Sequence, residues 1–157
     1  KTPADNRTDY IKRLIGFPGD TIQFINGDFF LNEVKIERKE IINKIDIRCG
    51  NEIMNVNAYE EILPNNKKYV AVYRVEGSLI NTDKFIVPEK HYFFMGDNRD
   101  CSKDSRFISS VGYVSFENFV GKARIIFFSN DKNIGNFFMF WKWNKSFRLN
   151  RFFKKIT

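Results

Sequence analysis

The sequence holds a single histidine, His91, among 157 residues. That leaves little room for a zinc site built on paired histidines. Any Ser-His-Asp arrangement would have to use His91 itself. The two cysteines, Cys49 and Cys101, permit one disulfide and require none, and no Cys-x-x-Cys pair supports a redox or zinc motif. No apolar run approaches the roughly 18 residues of a membrane-spanning helix. There is no initiating Met and no signal-peptide pattern, because Lys1 leads straight into polar residues. The sequence is therefore expected to be a piece trimmed at its N-terminus. Internal repeats, low-complexity tracts and any clear helix longer than about two turns are also missing.

What is present describes a folded protein. Hydrophobic residues make up 43% and charged residues 29%, outside the range of disordered chains. The length suits one domain, or one core with an insertion. A chain of this size buries about 70% of its unfolded surface and needs no metal or disulfide to do so.

The net charge is +7 and unevenly placed. Residues 131–157 carry seven cations (Lys132, Lys142, Lys145, Arg148, Arg151, Lys154, Lys155) against Asp131, a net +6, which leaves +1 for the first 130 residues. The same end holds Phe137, Phe138, Phe140, Trp141, Trp143, Phe147, Phe152 and Phe153. Rings interleaved with cations suit an anionic membrane surface or single-stranded nucleic acid. The plain alternative is a final strand with an aromatic core face and a basic solvated face.

The chain reads as mostly strand. Residues 10–15 are followed by Gly16-Phe17-Pro18-Gly19-Asp20, a compact turn signal. Asn26-Gly27 between Thr21–Ile25 and Asp28–Leu31 predicts a hairpin, because a type I′ turn needs positive φ at both central residues. Val34-Lys35-Ile36 continues it. Residues 37–66 are charged, rich in Asn and weakly periodic, and are read as short strands and loops. Strands are predicted at 69–75, 85–87 and 92–95, and a long one at 119–129. Ser115 is a candidate N-cap for a short helical turn. The fold class predicted is all-β, with little helix.

Two clusters stand out chemically. In Tyr10-Ile11-Lys12-Arg13-Leu14-Ile15, the two-residue period of a strand puts Lys12 on one face with Tyr10 and Leu14. A lysine among apolar neighbours either snorkels to the rim or is desolvated, and desolvation lowers its pKa. An amine brought down to a pKa of about 8 would be neutral in about one molecule in ten at pH 7 and could act as a general base. A solvated surface lysine is the alternative. The second cluster runs from Met95-Gly96-Asp97-Asn98-Arg99-Asp100 through Cys101-Ser102-Lys103-Asp104-Ser105-Arg106. Its alternating charges read as a solvated loop or as a buried network that orients hydroxyls. Gly96 favours the network, being free to adopt a backbone conformation that other residues resist.

Together these clusters resemble the type I signal peptidases, Ser/Lys-dyad serine proteases that remove signal peptides from exported proteins. Tyr10 to Arg13 with Gly16 to Asp20 resembles the segment carrying the family's catalytic lysine. Gly96 to Asp100 with Ser102 to Arg106 resembles its last box. Val87-Pro88 and Val120-Gly121-Lys122-Ala123 also match, and the resemblance spans Asp9 to about Ser129. It implies an antiparallel catalytic core (1–24 and 84–130) with an inserted β subdomain (25–83). Residues 131–157 would be a basic aromatic segment packed on the core.

The resemblance also implies roles. Lys12 would be the general base, and Ser102 would hydrogen-bond its amine and orient it. Asp104 and Arg106 would be a supporting ion pair. Tyr10, Ile11 and Met95 would contribute to substrate binding, with Tyr10 and Met95 walling the amine and the substrate lying extended along Tyr10-Ile11. No metal and no organic cofactor is implied. Partners would be exported preproteins with small residues before the cut and the membrane lipid surface, not nucleic acid. The place would be the outer, periplasmic face of the bacterial cytoplasmic membrane. The family's nucleophilic serine lies upstream of the lysine segment, and no residue from Lys1 to Thr8 matches it, so this chain alone is expected to be inactive. Cys101 stands where the family usually carries a polar residue such as Asn. It is expected to be a small buried side chain, with a Cys101 thiol nucleophile served by His91 as the alternative. A related Ser/Lys membrane peptidase, or a non-catalytic membrane-binding homologue of the same fold, would also fit.

Overall fold

The computed structural model describes residues 1–76, 78–130, 134 and 139–156. The chain forms two compact units, Lys1–Val120 and Gly121–Thr157. The first is built from antiparallel strands: β1 (Arg13–Gly16), β2 (Thr21–Ile25), β3 (Asp28–Leu31), β4 (Val34–Lys35), β5 (Glu37–Cys49), β6 (Glu52–Ile62), β7 (Lys68–Arg74), β8 (Phe85–Ile86), β9 (His91–Met95) and β10 (Val114–Ser115). They make three sheets, ordered β4-β3-β2-β8, β1-β9-β10 and β5-β6-β7. The protein is all-β.

The hairpin β2–β3 forms where its turn dipeptide predicts. Asn26 and Gly27 have φ of 51° and 80°, the left-handed pair that a type I′ turn demands. Alternation then buries Ile22 and Phe24 from one strand with Phe29 and Leu31 from the other. Phe24 and Phe29 sit opposite each other in register and stack at 5.4 Å. These four side chains join Ile15, Ile36, Leu63, Tyr69, Ala71, Tyr73, Val87, Phe93 and Met95 in one core. Each large side chain fully buried contributes about 1.5–3 kcal/mol.

Two strand expectations are corrected. Residues 37–66 are not short strands and loops: Glu37–Cys49 and Glu52–Ile62 pair along a long hairpin that turns at Gly50-Asn51. The alternation is visible on β6, where Met54, Val56 and Ala58 are buried, and hidden on β5, an edge strand exposed over most of its length. Its register also slips between Glu40 and Ile45. The long strand expected at 119–129 shrinks to β11 (Ile125–Ile126), because apolar alternation makes no ladder without a neighbour to accept its backbone hydrogen bonds. The turn after Ser115 does form, as a 3₁₀ turn over Phe116–Asn118, but the Ser115 side chain does not cap it and instead donates to Asn118 Oδ1 at 2.8 Å.

The second unit departs from the single final strand. It holds β11, a one-turn helix α1 (Trp143–Ser146), 3₁₀ turns at Phe140–Lys142 and Leu149–Arg151, and β12 (Lys154–Lys155), which pairs with β11. Phe128 meets Phe147 and Phe152 at 5.1 and 5.4 Å, and Trp143 stacks on Phe147. Phe127, Phe140, Trp141, Leu149 and Phe153 remain exposed. Lys132, Phe137 and Phe138 of the basic aromatic segment lie outside the described residues. Among the described residues no helix is long and apolar enough to cross a membrane.

Candidate active site

The pairing of β1 with β9 builds one side of the site. Arg13 lies opposite Met95 and Leu14 opposite Phe94. Lys12, one residue before β1, is thereby carried to the level of Gly96, one residue after β9. Its Nζ donates to Ser102 Oγ at 2.8 Å and lies 5.5 Å from the centre of the Tyr10 ring. Burial lowers the Lys12 pKa from the ordinary lysine value, and the Arg106 guanidinium acts in the same direction. The Asp104 and Asp97 carboxylates oppose them.

Behind Ser102 stands a buried ion pair. Asp104 has no exposed surface, and its two oxygens each accept from Arg106, Oδ1 from Nε and Oδ2 from Nη2, both at 2.9 Å. The Gly96 N–H also donates to Oδ2 at 2.9 Å. Burial alone would push the Asp104 carboxyl up. The bonds and charge of Arg106, the Gly96 N–H and the Ser102 hydroxyl outweigh it and hold the pKa below the ordinary carboxylate value. Two bonds between Phe94 and Ser105 close the loop back onto β9.

Gly96 corrects an expectation in its reason. Its φ is not in the left-handed region. The need is for space: a Cβ there would stand 2.2 Å from Ser102 Oγ and 2.5 Å from Ser102 Cβ. The absent side chain is what lets Ser102 reach the lysine.

The other predicted residues are placed as follows. Ile11 is 80% exposed and Tyr10 42%, so an open chain edge runs beside the amine. Met95 is fully buried in the core, opposite Arg13. Arg13 forms a bidentate pair with Asp97 at 2.7 and 2.9 Å. Cys101 is not a free buried thiol. It is bonded to Cys49 with 5.8 Å between Cα atoms, which removes the alternative of a thiol nucleophile served by His91. His91 Nδ1 instead contacts the Glu89 carbonyl.

Sequence reasoning missed a second buried network. Arg99 donates to Glu61 at 2.6 Å and to the hydroxyls of Tyr69 and Tyr73, and both tyrosines also donate to Glu61. Burial pushes both phenol pKa values up. The register of β6 against β7 sets Glu61 directly opposite Tyr69. A glutamate facing an alternating Tyr-Val-Ala-Val-Tyr run was the available signal, but it needs the register to be read. Asp100 is likewise engaged, accepting from the backbone N–H groups of Arg74 and Leu79 and from Ser78. Among the described residues no group of three His, Cys, Asp or Glu side chains is placed to hold a metal ion.

Comparison with known proteins gives the family. The family model described as signal peptidase, peptidase S26, matches residues 1–128. Signal peptidase I of Rickettsia prowazekii (strain Madrid E) is 42% identical over 171 aligned residues, covering 99% of this chain and 62% of that protein. Signal peptidase I of Rickettsia conorii matches to the same extent. The chain thus spans about three-fifths of the length of these relatives. Among solved structures, the crystal structure of a signal peptidase I from Enterococcus faecalis V583 aligns with 70% of this chain and 78% of its own, at 26% identity and a TM-score of 0.35.

Proposed function

The chain belongs to the signal peptidase family S26, and from that premise we propose that it is the lysine-bearing part of a type I signal peptidase, an endopeptidase that cuts signal peptides from exported preproteins. The observation that carries the reading is the Lys12 amine, half-buried and hydrogen-bonded at 2.8 Å to Ser102. A desolvated amine is neutral more often and can take a proton from a nucleophilic hydroxyl. Ser102 aims the lone pair, and the Asp104–Arg106 pair fixes the loop carrying Ser102. In this reading 1–24 and 84–130 form the catalytic core, interrupted by 25–83. The substrate lies extended along Tyr10-Ile11, while Met95, fully buried, offers it no surface. The attacking serine is contributed by sequence outside these 157 residues. Preproteins with small residues before the cut are the substrates, met at the outer face of the bacterial cytoplasmic membrane. Neither metal nor organic cofactor takes part.

A second reading has the same hydrogen bond in its favour: a serine bonded to a desolvated lysine is itself a nucleophile–base pair. Ser102 is a poor nucleophile on this geometry, because it is only 9% exposed and engaged by Asp104 as well as by Lys12. The experiment is preprotein cleavage by the complete gene product that contains this chain. Lys12→Ala should abolish turnover with the fold intact, and appreciable residual cleavage would refute its role as base. Ser102→Ala should slow cleavage less than loss of the base does, because it removes orientation and leaves the amine in place. If the two variants are equally dead, Ser102 is the nucleophile.

A further inference from the structure

Five residues separate Met95 and Gly96 from Ser102, and the sheet β5-β6-β7 holds most of them. The Asp97 carbonyl accepts from Val72 N–H at 2.8 Å, Arg99 is buried on Glu61, and Asp100 accepts from Arg74 N–H at 2.7 Å. The last tie is of another kind. Cys101 is covalently joined to Cys49, the final residue of β5. The Cα separation of 5.8 Å is ordinary for such a bond. Cys49 sits beside the turn of a long hairpin whose outer strand is exposed over most of its length. The strand paired with that end is itself anchored: Met54 is buried, the Val75 N–H donates to the Asn55 carbonyl at 3.0 Å, and Glu52, opposite Cys49, pairs with Arg74.

The adjoining residue has narrow tolerance. Ser102 Oγ reaches Lys12 through the space left by the missing Cβ of Gly96. A displacement of about 1 Å at its backbone would stretch the 2.8 Å bond beyond hydrogen-bonding range. We propose that the Cys49–Cys101 disulfide is a positioning element for the base: it clamps the backbone at Ser102 so that Oγ stays on the Lys12 amine. The inference rests on the reading of Lys12 as general base.

Releasing the clamp should leave Lys12 among Asp104, Asp97 and Arg106 without its fixed hydroxyl and more open to water. The amine then moves toward an ordinary lysine. The test uses the complete gene product in detergent, with preprotein cleavage followed against pH. Alkylation and intact mass first establish that the two cysteines are joined. Cys49→Ala and the double variant Cys49→Ala/Cys101→Ala should fold and keep KM within about twofold. The acid limb of kcat/KM should rise by about one pH unit, with an accompanying loss of about tenfold below it. The wild type treated with dithiothreitol, which reduces the bond to two thiols as it cyclises to its own disulfide, should show the same shift, and reoxidation should reverse it.

Free thiols in the active wild type would overturn the proposal. So would an acid limb that stays in place once the bond is gone. Loss of fold in both the variants and the reduced wild type would also overturn it, by making the bond a purely structural staple. Lys12→Ala judges the underlying reading separately: if that variant still cleaves, the general base is wrong whatever the cysteines do.

Discussion

Asp104 shows how a single side chain can carry the order of a site. It is fully buried, and its partner Arg106 is nearly so, with a side chain only 4% exposed. A buried ion pair adds little net stability over an apolar pair of the same shape, but removing one member strands the other charge at a cost of about 3–5 kcal/mol. Asp104→Ala is therefore expected to lower unfolding stability by that amount at pH 7, read from chemical denaturation. The pH dependence has a definite sign. The folded-state pKa is held below the ordinary carboxylate value. The stabilisation is then fully present above the unfolded value of about 3.9 and is lost as pH falls through the lower folded value. The wild type should lose stability on acidification below about pH 4 more steeply than Asp104→Ala. Equal slopes would mean that the pair does not form. At this scale the sequence was informative about identity and poor about cause. Lys12, Ser102, Asp104 and Arg106 were all nameable, because a family resemblance travels with residue types. Gly96 was named for the wrong reason, since close approach by Ser102 comes from the loop's path and leaves no mark in the residue itself.

Among the elements, β2–β3 could be read from sequence and β5–β6 could not, for the same physical reason. A strand declares itself by alternation only when one face is buried and the other wet. That holds for β2 and β3. It fails for β5, whose polar residues face solvent on both sides and whose register slips twice. The consequence is functional, because the sheet containing β5 holds the loop that carries Ser102. Glu61 is the pivotal contact. Glu61→Ala would leave Arg99 buried without its carboxylate, at a cost of about 3–5 kcal/mol. Glu61→Gln keeps the shape and hydrogen-bonding capacity and loses the charge, so it should cost less. Thermal unfolding should therefore rank wild type, Glu61→Gln and Glu61→Ala in falling order. The two variants coinciding with wild type would show that the β6–β7 sheet does not bear on the loop. Neither Glu61 nor Cys49 could be assigned in advance, since both act through pairings between strands far apart in sequence.

For the molecule as a whole, the telling feature is that charge and aromatic surface coincide. The first 130 residues are nearly neutral, and the last 27 carry a net +6. The described part of that end is no strand with a buried aromatic face. Phe140 and Trp141 are 69% and 64% exposed, among lysines and arginines. A large ring left in water costs free energy unless something covers it. A bilayer interface covers rings at headgroup depth, while each nearby Lys or Arg gains about 1 kcal/mol from an anionic surface. We expect this chain to bind anionic phospholipid vesicles and to bind uncharged phosphatidylcholine vesicles more weakly. Raising salt should weaken the anionic component, because screening shortens to about 3 Å at 1 M. Trp141→Ser with Trp143→Ser should lower co-sedimentation several-fold while leaving the salt dependence in place, since it removes rings and keeps the cations. Unchanged co-sedimentation in the double variant would sink the membrane reading. Tighter binding to single-stranded DNA than to anionic vesicles, with a steep salt slope, would make phosphate the partner instead. The distinction matters for the proposed chemistry, because a peptidase whose substrates are still anchored in a bilayer gains from a surface that keeps it there.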